Sequence, residues 1–97
     1  MSSSSAQVIE LRSEGVTFVT FSHLPSLPDN TVYEIWLIKE GSQPVAAAVF
    51  VPDSDGSKTV LLSRSLSGYS TMAVTAEAAP DGASAPTQQP QLFGSLV

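Results

Sequence analysis

Apolar positions in this chain fall into short runs that never settle into a helical repeat. Segments rich in Val, Ile, Phe, Thr and Tyr are broken by Gly, Pro, Asp and Ser, the punctuation of an all-β sandwich or barrel. Strands are expected near 7–12, 16–23, 32–39, 45–51, 59–63, 72–77 and 91–95. Seven such strands make an Ig-like antiparallel β-sandwich the expected fold. The stretch 32–38 is apolar at nearly every position, as in a central strand buried on both faces. Tyr33 and Trp36 would also suit surface anchoring, each having an apolar body and a polar tip. Their setting reads instead as core, with Phe18 or Phe50 as a packing partner.

The breaks have physical causes. Glu14-Gly15 offers a tight reversal between the first two strands, because glycine reaches positive φ at little cost. Pro25 and Pro28 cannot donate to a ladder, so 24–30 is a connection. The polar stretch 39–43, centred on Gly41, predicts a second hairpin. Asp53-Ser54-Asp55-Gly56, behind the strand-ending Pro52, reads as another hairpin turn. From 78 to 90 the composition shifts to Ala, Pro, Gly, Ser, Thr and Gln, and Leu92-Phe93 then resume the apolar pattern. That stretch is expected to be a long loop between the last two strands, with its ends pinned by the sheet.

Composition removes several functions. The 97 residues carry a net charge of -5, and Arg12, Lys39, Lys58 and Arg64 are too scattered to form a basic patch. Nucleic acid and anionic lipid would be repelled. Cysteine is absent, which removes disulfides, thiolate nucleophiles and thiolate metal sites. The longest strongly apolar run, 45–51, is far short of the roughly 20 residues of a membrane-spanning helix, so no direct membrane insertion by this domain is expected. The serine tract at 1–6 reads as a flexible lead-in or an engineered scar, leaving 7–97 as one domain.

Candidate chemistry is sparse. Asp53, Asp55 and Gly56 suggest a calcium loop, but placing Gly56 sixth puts Val51 first and Leu62 twelfth, and neither can ligate. No metal and no cofactor are expected. His23 is the only imidazole, and no Gly-x-Ser-x-Gly elbow accompanies it, so a hydrolase is a distant third reading and no catalytic residue is assigned. Asn30-Thr31-Val32 fails the glycosylation pattern, and Pro86 to Pro90 has the wrong spacing for a PxxP ligand.

Leu24-Pro25 followed by Tyr33, Trp36, Leu37 and Gly41 resembles the Leu-Pro, Tyr-x-x-Trp-Leu stretch of the anti-sigma-K factor family's C-terminal domain. A second stretch, Val74-Thr75-Ala76-Glu77 and then Pro80, Gly82, Ser84, Pro86, Thr87 and Gly94, is similar to that family's Val-Thr-x-Glu-Pro, Gly-Gly-Ser, Pro-Thr and closing glycine. Phe50 and the Asp55-Gly56 turn lie between the two in the family's order. The likeness runs from about Ala6 to Leu96, with three departures: Ala78-Ala79 separates Glu77 from Pro80, Gly82-Ala83 stands for a Gly-Gly pair, and the strand leading into the Leu-Pro segment is short.

The resemblance implies a non-enzymatic β-sandwich ectodomain of a single-pass bacterial membrane protein. Its transmembrane and cytoplasmic sigma-binding regions would lie elsewhere in the parent chain. A site-1-type protease cutting outside the membrane would begin the release of an extracytoplasmic-function sigma factor, with this domain gating that cut. An extracellular Ig-like adhesion or ligand-binding module is the alternative; it shares the fold and composition but not the two motif stretches.

Overall fold

Each expected strand forms within two residues of its expected limits, because each apolar run ends where proline or a turn former interrupts it. The computed structural model describes residues 4–96. It is all-β, with strands β1 (Ser5–Leu11), β2 (Val16–Ser22), β3 (Thr31–Ile38), β4 (Val45–Phe50), β5 (Lys58–Leu62), β6 (Thr71–Ala78) and β7 (Leu92–Ser95). They make two antiparallel sheets, ordered β1-β2-β5 and β4-β3-β6-β7, consistent with a β-sandwich. Of the serine lead-in, Met1–Ser3 lie outside the described residues, while β1 already begins at Ser5.

The chain divides into two compact units, each holding one sheet. In the three-stranded unit, β1 and β2 pair in full from Ser5↔Ser22 to Leu11↔Val16, across the expected Glu14-Gly15 reversal. Alternation along β2 buries Thr17, Val19 and Phe21. Ile9, Phe18 and Leu61 align across the opposite face, where Ile9 and Leu61 are exposed. The segment after β5 is fastened by side chains: Thr17 Oγ1 donates to the Arg64 carbonyl at 3.0 Å, and Glu10 Oε2 accepts the Leu66 N–H at 2.8 Å.

Asp53–Gly56 does form a turn, with Gly56 N–H donating to the Asp53 carbonyl. It is not the expected hairpin, because β4 and β5 lie in different sheets and the turn hands the chain from one to the other. Leu24 explains the tightness here: its N–H donates to the Gly56 carbonyl at 3.0 Å. A Cβ on Gly56 would sit 2.6 Å from the Leu24 carbonyl oxygen, and φ there is +83°. Both facts require glycine.

In the four-stranded unit β3 is an inner strand, and Val32 through Leu37 are all buried. Tyr33 meets Phe50 with ring centroids 5.8 Å apart, a favourable aromatic pairing. The run of alanines and valines at 45–51 behaves differently. β4 is an edge strand, and Val45, Val49 and Val51 are exposed. A bulge opposite Ile35/Trp36 leaves Ala47 outside the ladder, the usual device for twisting an edge.

Candidate functional site

Side chains alternate along a strand, so Val32, Glu34 and Trp36 share one face of β3, and their register partners Glu77, Thr75 and Ala73 share the same face of β6. Two carboxylates thus meet in a buried setting: Glu34 is 2 % exposed and Glu77 is 3 % exposed. A buried carboxylate is costly unless hydrogen bonds replace its water. The loop after β6 supplies them.

Loop 79–91 leaves β6 through a cis Ala79-Pro80 bond, with the Ala79 N–H donating to the Asn30 carbonyl and Gly82 N–H turning back to the Ala78 carbonyl. Gly82 has φ +78°, and a Cβ on it would lie 2.7 Å from Glu34 Cδ, so only glycine lets the backbone pass over this carboxylate. The next residue, Ala83, donates its N–H to Glu34 Oε1 at 2.8 Å. Further on, Thr87 donates its N–H to Glu77 Oε2 at 3.0 Å and its hydroxyl to Glu77 Oε1 at 2.5 Å. From beneath, Trp36 Nε1–H donates to Thr75 Oγ1 at 2.8 Å, and that hydroxyl donates to Glu77 Oε2 at 2.5 Å. One relay therefore runs from the core tryptophan to the loop, and the two carboxylates act as a latch.

The carboxylates differ electrostatically. Burial pushes the Glu34 carboxyl above its usual range, only partly offset by the Ala83 N–H and reinforced by the charge of Glu77. Burial acts on Glu77 as well, but the hydrogen bonds from Thr75 and Thr87 outweigh it and hold that carboxyl below its usual range. The donors favour the carboxylate form of Glu77, which grips Thr87 through charge-assisted bonds.

The family positions fall into groups. Tyr33, Trp36, Leu37, Phe50, Val74 and Thr75 are buried. Thr75, Glu77, Gly82 and Thr87 build the latch, and Pro80 sets the loop's departure. Leu24 and Gly56 lock one another in the other unit, next to the exposed Pro25. Gly41 provides positive φ between β3 and β4. Ser84 and Pro86 are exposed on the loop. A Cβ on Gly94 would meet open space, and nothing in the structure explains glycine there. Glu34 was not among the candidates, although one charged residue inside an apolar strand is a signal that something must satisfy it.

Asp55 is occupied locally: its carboxylate accepts the Ser57 hydroxyl at 2.6 Å and the Ser57 N–H at 3.1 Å, which lower its pKa. No cluster of three His, Asp or Glu placed to hold a metal occurs among the described residues. His23 has φ 60°, and its carbonyl accepts the Ser4 hydroxyl.

Beside the latch an open groove of about 600 Å³ is lined by Pro28, Asn30, Thr31, Ala76, Glu77, Ala78, Thr87, Gln88 and Gln89. No curated protein and no solved structure matches the chain. The family model described as "Anti-sigma-K factor rskA, C-terminal" matches residues 1–91, a span that takes in the relay, the latch and both motif stretches apart from Gly94, and the chain belongs to this family of anti-sigma factor regulatory domains.

Proposed function

We propose that this chain is the extracytoplasmic gate of a membrane-anchored anti-sigma factor, and that the latch is the part that opens. Loop 79–91 has no strand ladder until it reaches β7, and proteases need an extended, locally opened backbone. While Glu34 and Glu77 hold Ala83 and Thr87, the loop stays on the sheet and the site-1-type protease finds no substrate. A signal that frees the loop starts the cut that ends in release of the sigma factor. The carrying observation is the fastening of the loop by side chains on two adjacent buried strands. Among the described residues no helix is long and apolar enough to cross a membrane, so in this reading the anchor belongs to another region of the parent chain.

The test is a sigma-dependent reporter in cells carrying the full-length parent with Glu77→Ala and Thr87→Ala. Each 1.4 kcal/mol lost from closure raises the open population about tenfold, so transcription should rise without any signal while the domain stays folded. Unchanged silencing, with the Ala83 and Thr87 amides shown by hydrogen exchange to be open, would place the gate elsewhere.

A further inference from the structure

The last ladder of the four-stranded sheet stops early. β7 pairs with β6 only over Thr71–Val74, yet β6 runs on to Ala78. Even-numbered residues of β6 turn their backbone groups to the β7 side, since the Val74 and Ala78 carbonyls accept from Gln91 and Gly82 while the odd-numbered Ala79 donates to Asn30, just ahead of β3. Ala76 lies between two satisfied carbonyls. Among the described residues neither its N–H nor its C=O has a backbone partner, and the Ala78 N–H has none either. These groups are spaced two residues apart, about 6.8 Å along a strand, which is the repeat of an incoming strand's own donors and acceptors.

This stretch is also walled. Thr87, Gln88 and Gln89 form the other side of the groove, and the bonds from Thr87 to Glu77 hold that wall in place. The volume lies in the usual range of ligand sites, roughly 300–1,000 Å³. Alanine at 76 and 78 leaves the floor without bulk, and none of the four cationic residues lines it while Glu77 does.

We propose that the groove binds an extended, basic segment of a partner polypeptide, which adds to β6 as a short strand opposite Ala76 and Ala78. Strand addition takes its affinity from main-chain hydrogen bonds and its selectivity from alternate side chains. The negative balance of the chain, -5 overall, favours a cationic partner and disfavours a second copy at this edge. Such a ligand would be an input to the proposed gate, though binding is read on this chain alone and gating only in the parent, so the two fail separately.

The test is backbone hydrogen exchange by NMR on the 97-residue chain. The probe is a pool of acetylated, amidated pentapeptides with lysine at both ends, valine at the centre, and every amino acid except proline at the two remaining positions. The Ala76 and Ala78 amides should exchange freely in the unliganded chain and slow by about tenfold or more with the pool. A pool N-methylated at the central amide should protect less, and aspartate-ended peptides should not bind. Ala76→Pro removes the N–H on the open side, where proline is tolerated, and should abolish protection with melting retained. If that variant does not fold, the exchange results decide alone. Slow exchange of Ala76 in the free chain, no protection by the pool, protection confined to the β4 edge, or equal binding of the aspartate-ended peptides would each overturn the proposal.

Discussion

Glu77 and Glu34 sit two residues apart in ladder register but respond to pH in opposite directions. The folded carboxyl of Glu77 is more acidic than in the unfolded chain, so its contribution is present above the ordinary glutamate value of about 4.3 and lost as pH falls through the depressed one. Glu34 has a raised value; its contribution is full below the ordinary value and lost as pH rises through the folded one. Between them they favour the mildly acidic range. Melting profiles should show the split: Glu34→Gln removes a decline on the alkaline side, and Glu77→Gln removes one on the acid side. Profiles of both variants parallel to wild type would contradict the assigned directions. Glu77→Ala, which strands Thr75 and Thr87, should destabilise by about 2 to 4 kcal/mol in urea unfolding. At this scale the sequence was only half legible. Thr75, Glu77, Gly82 and Thr87 drew notice through a family likeness, but nothing local said that they touch. Glu34 and its partner Ala83 are 49 positions apart, and no pattern of residue types encodes that closure.

Strands and turns were far more legible, since period-two patterning and Gly/Pro breaks act within a few residues. The central place of β3 could be read from a run too apolar to face water on either side. The same logic misleads for β4, whose apolar residues remain exposed on an edge. Composition counts apolar groups but does not say how many neighbours a strand will have. The Asp53–Gly56 turn likewise looks the same from sequence whether it closes a hairpin or carries the chain between sheets. Two substitutions probe these elements. Trp36→Ala should cost about 3 to 5 kcal/mol, and Trp36→Phe about 1 to 3, since it keeps most of the volume but loses the bond to Thr75. Unchanged melting for Trp36→Ala would contradict its burial. Gly56→Ala forces a side chain against the Leu24 backbone at positive φ and should destabilise by roughly 2 kcal/mol or more; a neutral result would mean that the turn re-forms another way.

For the molecule as a whole, loop 79–91 is where stability and regulation meet. Replacing 81–89 by a Gly/Ser linker of equal length changes closure entropy little, but it removes the Thr87 hydroxyl and the loop conformation that aims the amides at 83 and 87 toward Glu34 and Glu77. A loss of about 3 kcal/mol or more is expected in equilibrium unfolding, along with faster cleavage of the loop by a nonspecific protease; wild-type stability would reduce the loop to a connector. The prolines and glycine of the loop point to a shaped element folding back over a sheet edge with Pro86 and Thr87 as contacts; Thr87 does bond the sheet, through Glu77, but nothing in the sequence named Glu34 and Glu77 as what holds the loop. Strand ladders depend on backbone groups that every residue shares, so a point mutation rarely changes their strength by itself. The loop hangs on the identities of a few side chains, so evolution can tune the ease of opening in small steps, a Thr87→Ser here or a Glu34→Gln there, without redesigning the fold. Related regulators could then keep one architecture and differ in the threshold at which each yields.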